Sequence, residues 1–83
     1  MTEVTFMHRD EDGYEVEATA VFDFDGTDAA ICNTIRNAIM ARQQLELDEL
    51  DMDEDGTVER NGNTITVTWT GHRNHQSVST LAF

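Results

Sequence analysis

The feature that most constrains this chain is a change of hydrophobic period across residues 20–28, Ala-Val-Phe-Asp-Phe-Asp-Gly-Thr-Asp. Before it, Tyr14, Val16, Ala18, Ala20, Phe22 and Phe24 occupy every second position, the period of a strand with one buried face. After it, Ile31, Cys32, Ile35, Ala38 and Ile39 recur at helical spacing, with Leu45 close to the same line. Asp25-Gly26 supplies a turn, and Thr27 or Asp28 can accept a hydrogen bond from the first free N–H groups of a helix. The junction therefore predicts a long strand over 14–24 that hands over to one helix over 28–44. Arg42 falls on the apolar stripe near its end, where its stem can pack and its charge suits the helix C-terminus.

The remaining segments read mostly as strands. Val4, Phe6 and His8 alternate with polar residues, so 3–9 is a strand, and Asp10-Glu11-Asp12-Gly13 turns it into the next. Asn61-Gly62 is the strongest two-residue hairpin signal in the chain, flanked by strands at 57–60 and 63–70. In the second of these, Ile65, Val67 and Trp69 face a core while Thr64, Thr66, Thr68 and Thr70 face out. Residues 71–76 form a polar loop and 77–83 a last strand. Residues 45–56 are ambiguous: Leu45 with Leu47 and Leu50 with Met52 suggest strand alternation broken once, and a frayed extension of the helix fits nearly as well. The fold expected is α+β: a single two-layer domain, one long helix on a mainly antiparallel sheet of about 4–5 strands in the order β-β-α-β-β-β.

Several short motifs invite chemical readings. Asp23-Phe24-Asp25-Gly26-Thr27, following Ala20-Val21-Phe22, resembles the first motif of the haloacid dehalogenase-like phosphatases. In that family the first aspartate is the nucleophile and the second the general acid/base, at the C-terminal end of a strand. The family also needs a basic residue, a downstream acidic pair for magnesium and a longer Rossmann-like domain. This chain has no lysine and no room for that parallel sheet, so the expectation is a strand–turn–helix junction without catalysis.

Asp51-Met52-Asp53-Glu54-Asp55-Gly56-Thr57-Val58 resembles the first eight positions of an EF-hand calcium loop, with acids at one, three and five and glycine at six. Position twelve is Gly62 where a bidentate glutamate belongs, and a hairpin follows where a helix is needed, so an acidic turn is expected. His72 and His75, with His8 elsewhere, lack a nearby third ligand in the sequence, and no metal or cofactor is expected. Cys32 among isoleucines reads as a small core residue. Asp-Glu-Asp-Gly occurs at 10–13 and again at 53–56, but the flanking residues do not align, so biased composition explains the repeat.

Charge is where function enters. Seventeen acids oppose five arginines, giving a net charge of −12 on 83 residues. Such a surplus repels nucleic acid and anionic membranes and favours cationic partners or a salty medium. Seven acids fall within ten residues: Glu46, Asp48, Glu49, Asp51, Asp53, Glu54 and Asp55. Alternate carboxylates on an extended segment lie about 6.5–7 Å apart, close to the spacing of phosphates along one nucleic-acid strand, which carries about one per 3.4 Å of helix axis in projection. That segment is the expected partner-binding surface, and Asp10, Glu11 and Asp12 extend it if the two acidic turns lie at one end of the sheet.

Two classes of function follow. The first is a small non-enzymatic inhibitor that occupies the basic, nucleic-acid-binding surface of a partner protein, without binding nucleic acid itself. In size, charge and a single α+β domain the chain resembles, in type, phage-encoded nucleic-acid mimics such as anti-restriction and anti-CRISPR proteins. The alternative is an interaction or regulatory subunit of a salt-loving organism, for which zero lysine, nine Asp, eight Glu and eleven Thr are suited. Clustered acids favour the first. The lone cysteine, the absence of a signal-peptide pattern and the lack of a membrane-length apolar run lead to an expected cytoplasmic location, the host's if the protein is viral. The sequence leaves the oligomeric state open, a dimer included.

Overall fold

A computed structural model describes residues 1–46, 49–53 and 55–83. Five strands and one helix follow the expected order: β1 (Thr2–Arg9), β2 (Glu15–Phe22), α1 (Asp28–Gln43), β3 (Thr57–Asn61), β4 (Thr64–Thr70) and β5 (Gln76–Ala82). The strands form one sheet in the order β2-β1-β5-β4-β3, and every neighbouring pair is antiparallel. The helix lies on one face of that sheet, which makes the two-layer α+β domain that the periodicities predict.

Alternation sorts the side chains. Val4 and Phe6 of β1, Ala18 and Phe22 of β2, Ile65, Val67 and Trp69 of β4 and Leu81 of β5 are buried beneath Ile31, Cys32, Ile35 and Ile39 of the helix. The registers Phe6↔Ala18, Ile65↔Leu81 and Val58↔Val67 keep these residues on one face, since a slip of one residue would expose them all. The threonines of β4 turn away from the helix, as expected. At the end of the sheet where β2 stops, Phe6, Phe22, Phe24 and Phe83 form an aromatic row, edge-to-face between the first two and stacked thereafter.

The junction differs from its sequence reading in extent. β2 stops at Phe22, because the Asp23 carbonyl accepts the Gly26 N–H and its carboxylate accepts the Asp25 N–H, closing a turn. Phe24 leaves the strand and packs, half-buried, against the core, while Tyr14 stands 72 % exposed before the strand begins. Thr27 is the N-cap, its hydroxyl accepting the Ala30 N–H, and Asp28 lies in the first turn. The helix ends as Gln44 turns left-handed and gives its N–H to the Met40 carbonyl. Arg42 is exposed and does not pack on the stripe; Arg36, one face round, is the arginine with a half-buried stem.

The ambiguous stretch resolves into neither of its two readings. The left-handed Gln44 rules out a helical extension, and no strand lies between Gln44 and Thr57 among the described residues. Leu45 is half-buried, Leu50 packs against the core and Met52 is buried; Leu47 lies outside the described residues. No helix among the described residues is long and apolar enough to cross a membrane.

Candidate functional site

Strand direction decides which connections share an end. β1 and β4 run one way and β2, β3 and β5 the other, so the β1–β2 turn, the α1–β3 connection and the β4–β5 turn all emerge together. The expected site residues Asp10, Glu11, Asp12, Glu46, Glu49, Asp51, Asp53 and Asp55 all belong to those connections. Asp48 and Glu54, expected with them, lie outside the described residues. The two acidic segments, forty residues apart in sequence, meet here: Glu11, Glu49 and Asp51 line one open cleft together with His72, Arg73 and His75.

Each element seats its residue for a local reason. Asp10 accepts the N–H groups of Asp12 and Tyr14, and Gly13 takes the left-handed conformation (φ 85°) that lets the turn close. Glu11 is carried at the tip of that turn. Asp51 is held more tightly: one carboxylate oxygen, Oδ1, accepts the His72 backbone N–H, Met52 beside it is buried, and the Asp53 N–H bonds to the Thr70 carbonyl at 3.0 Å. Gly71 makes room, since a Cβ there would lie 2.5 Å from the Asp51 carbonyl oxygen. The β4–β5 turn is closed by the Gly71 N–H on the His75 carbonyl and the His75 N–H on the His72 carbonyl.

The outcome is a mixed group rather than a purely acidic one. His75 Nδ1 stands 3.6 Å from Asp51 Oδ2 and 3.8 Å from Glu11 Oε1. One ligand atom from each of the three lies within 4.8 Å of the others. The third partner that the sequence spacing of His72 and His75 does not supply thus comes from two distant turns. His72 contributes its backbone N–H to Asp51, as described. The EF-hand resemblance is not realised: Gly56 is not in the left-handed region, β3 follows it, and Asp53 and Asp55 do not join Asp51 in the group.

Beneath the cleft lies a cavity of about 140 Å³, which shares Glu11, Glu49, Leu50 and Asp51 with it and reaches His8, Ile39, Met52 and Ser77. Two buried serines of β5, Ser77 in the cavity lining and Ser79 behind His8, were not singled out by the sequence. Ser77 is 4 % exposed and its Oγ has no hydrogen-bond partner among the described residues. Ser79, fully buried, accepts the Trp69 indole N–H at 2.9 Å and lies 2.8 Å from His8 Nδ1. Burial lowers the His8 pKa from its usual value, with Asp10 pulling weakly the other way. A neutral His8 protonated on Nε2 accepts the Ser79 hydroxyl proton and completes a satisfied buried chain. Alternation in β5 carried a signal for both serines, because Leu81 fixes which face of that strand is inward.

The phosphatase-like pair sits at the opposite end of the sheet. Asp23 and Asp25 are exposed, Asp23 is engaged in its own turn, and the sheet is antiparallel, unlike that family's parallel sheet. Cys32 is buried, its thiol pKa raised chiefly by that burial, and its sulfur lies 3.7 Å from the Gly56 carbonyl oxygen. Comparison with protein-family models, with curated proteins and with solved structures finds no match.

Proposed function

We propose that this protein is a small non-enzymatic binding domain whose acidic end docks on the basic, nucleic-acid-binding surface of a partner protein, as an inhibitor of the nucleic-acid-mimic type. One observation carries the reading: Asp10, Glu11 and Asp12 share one end of the sheet with Glu46, Glu49, Asp51, Asp53 and Asp55, distant in sequence, and Glu11 and Asp51 both approach His75. Gathered carboxylates focus a negative field towards one approach direction, which speeds encounter with a cationic surface and repels nucleic acid. The described acids gather on two neighbouring connections rather than as a ladder along one strand. Mimicry would therefore act through local charge density more than through a linear phosphate repeat. Arg42 and Arg73 stand at the same end and temper the field without reversing it.

A second reading has its own support. Glu3, Glu15, Glu17, Asp23, Asp25, Asp28 and Glu59 lie outside those connections, as surface adaptation to a salty cytoplasm would place them. Charge neutralisation separates the two. Basic proteins retained from lysate on the immobilised domain are identified, and the affinity of one is measured against two variants. The first variant exchanges Asp12, Glu46, Asp53 and Asp55 for Asn or Gln. The second does the same at Glu3, Glu17, Asp25 and Glu59. The first set should slow association and lower affinity well beyond the second, with duplex DNA competing for the partner. Equal losses would mean that only net charge matters, and the salt-adapted surface would be the better account.

A further inference from the structure

We infer that Glu11, Asp51 and His75 form a binding site for a divalent transition cation of the zinc class, which ties three connections together at the acidic end. The inference is independent of the docking function, because it needs no protein partner.

The geometry points to such an ion before any chemistry is invoked. Two carboxylates approach one imidazole nitrogen at 3.6 and 3.8 Å, outside the range of about 2.7–3.2 Å for an N–H···O bond. Ligand atoms of the two carboxylates lie within 4.8 Å of one another. A tetrahedral ion with bonds of about 2.0–2.2 Å has ligand–ligand edges of about 3.4 Å, so the two edges to His75 need close by only a few tenths of an ångström, and the exposed Glu11 side chain can swing to shorten the third. One nitrogen and two carboxylate oxygens suit zinc, cobalt or nickel, whereas calcium and magnesium prefer all-oxygen sets. With neutral imidazole, two carboxylates also balance the divalent charge.

The surroundings carry two further marks of a site. Asp51 Oδ1 is occupied by the His72 backbone N–H, which leaves Oδ2 turned towards His75; outer hydrogen bonds of this kind orient metal ligands. Independently, Ser77 Oγ lines the cavity under Glu11 and Asp51, is buried, and has no partner among the described residues. A buried hydroxyl without a partner is costly. Water completing the coordination of an ion held by three protein ligands is the polar group that this cavity can bring to it.

The test uses the whole chain, freed of metal by chelation and titrated with zinc chloride alone by calorimetry. One zinc per chain is expected, with a rise in thermal midpoint, because an ion that binds only the folded state stabilises it. Cobalt should give the visible absorption of a four-coordinate site. Glu11→Gln and His75→Gln should each weaken zinc binding by at least about tenfold, while Glu17→Gln, outside the site, stays within about twofold. Glu11 is exposed at a turn tip, so its variant keeps the fold, and circular dichroism checks both. Zinc affinity unchanged in Glu11→Gln and His75→Gln would overturn the inference. So would an equal loss on neutralising Glu3, Glu17 and Glu59, which would reveal only diffuse counterion binding.

Discussion

His8 shows at the scale of one residue how context sets chemistry. On an exposed strand it would titrate near neutrality; here it is 5 % exposed and bonded to Ser79. Burial lowers its folded pKa below the unfolded value of 6.5, with Asp10 opposing. Glu11, Glu49 and Asp51 line the same cavity. The sign follows: above 6.5 the residue is neutral in both states and its stabilisation is complete, whereas below 6.5 the unfolded chain takes up a proton that the fold resists. Stability should therefore fall as pH drops from about 7.5 to about 5.5, and His8→Gln should remove that share of the slope. Acidification also begins to relieve repulsion among the carboxylates in both proteins, so the measured quantity is the difference between the two thermal-midpoint profiles. Parallel profiles would show that His8 is not the group that titrates.

At the scale of elements, the connection between α1 and β3 is pinned rather than loose. Residues 51–53 are held by a side-chain bond to the His72 N–H, by burial of Met52 and by a backbone bond to Thr70. The bonds to Thr70 and His72 fasten it to the end of β4, and Gly71 is the place where the two segments press together. Gly71→Ala should cost about 1–3 kcal/mol, the usual range for overpacking, because its new methyl group would meet the backbone of Asp51. Denaturant unfolding checks the size, and zinc affinity should fall in the same variant as Asp51 is displaced. Gly56 is likewise tight, against Val67 and Trp69, whereas Gly13 and Gly62 are there for their left-handed backbones. The two Asp-Glu-Asp-Gly segments therefore use their glycines for different ends, which agrees with composition rather than duplication as their origin.

For the whole molecule, the balance lies between one small core and a net charge of −12. An 83-residue domain has little stability to spare against self-repulsion. Described acids crowd one end, where the paired cations are Arg9, on Glu15, and His75, beside Glu11 and Asp51; Arg60–Asp28 lies at the other end. Salt screens such repulsion over about 10 Å at 0.1 M, so the thermal midpoint should rise steadily from low to molar sodium chloride. A flat curve would mean that the carboxylates are already compensated, and it would count most heavily against salt adaptation. Addition of zinc at low salt should recover part of the same gain by placing charge between Glu11 and Asp51.

How much of this was legible beforehand follows from the range of each interaction. The strand and helix periods at the junction, the Asn61-Gly62 hairpin and the alternating threonines of β4 are local patterns, and they were sufficient for an α+β domain with one helix. Local pattern also narrowed the cap to Thr27 or Asp28 and placed Cys32 in the core. It misjudged ends, at Phe24 and Arg42, where packing and a turn override the period. It left residues 45–56 undecided, because Asp51 and Asp53 are fixed by bonds to His72 and Thr70, which no local pattern records. The candidate site was legible only as two separate acidic runs and a histidine pair. Antiparallel pairing in the order β2-β1-β5-β4-β3 is what brings the three turns to one end, and no spacing in the sequence records which loops become neighbours. Glu11, Asp51 and His75 meet because strand order is a property of the folded sheet, set by which apolar faces bury one another.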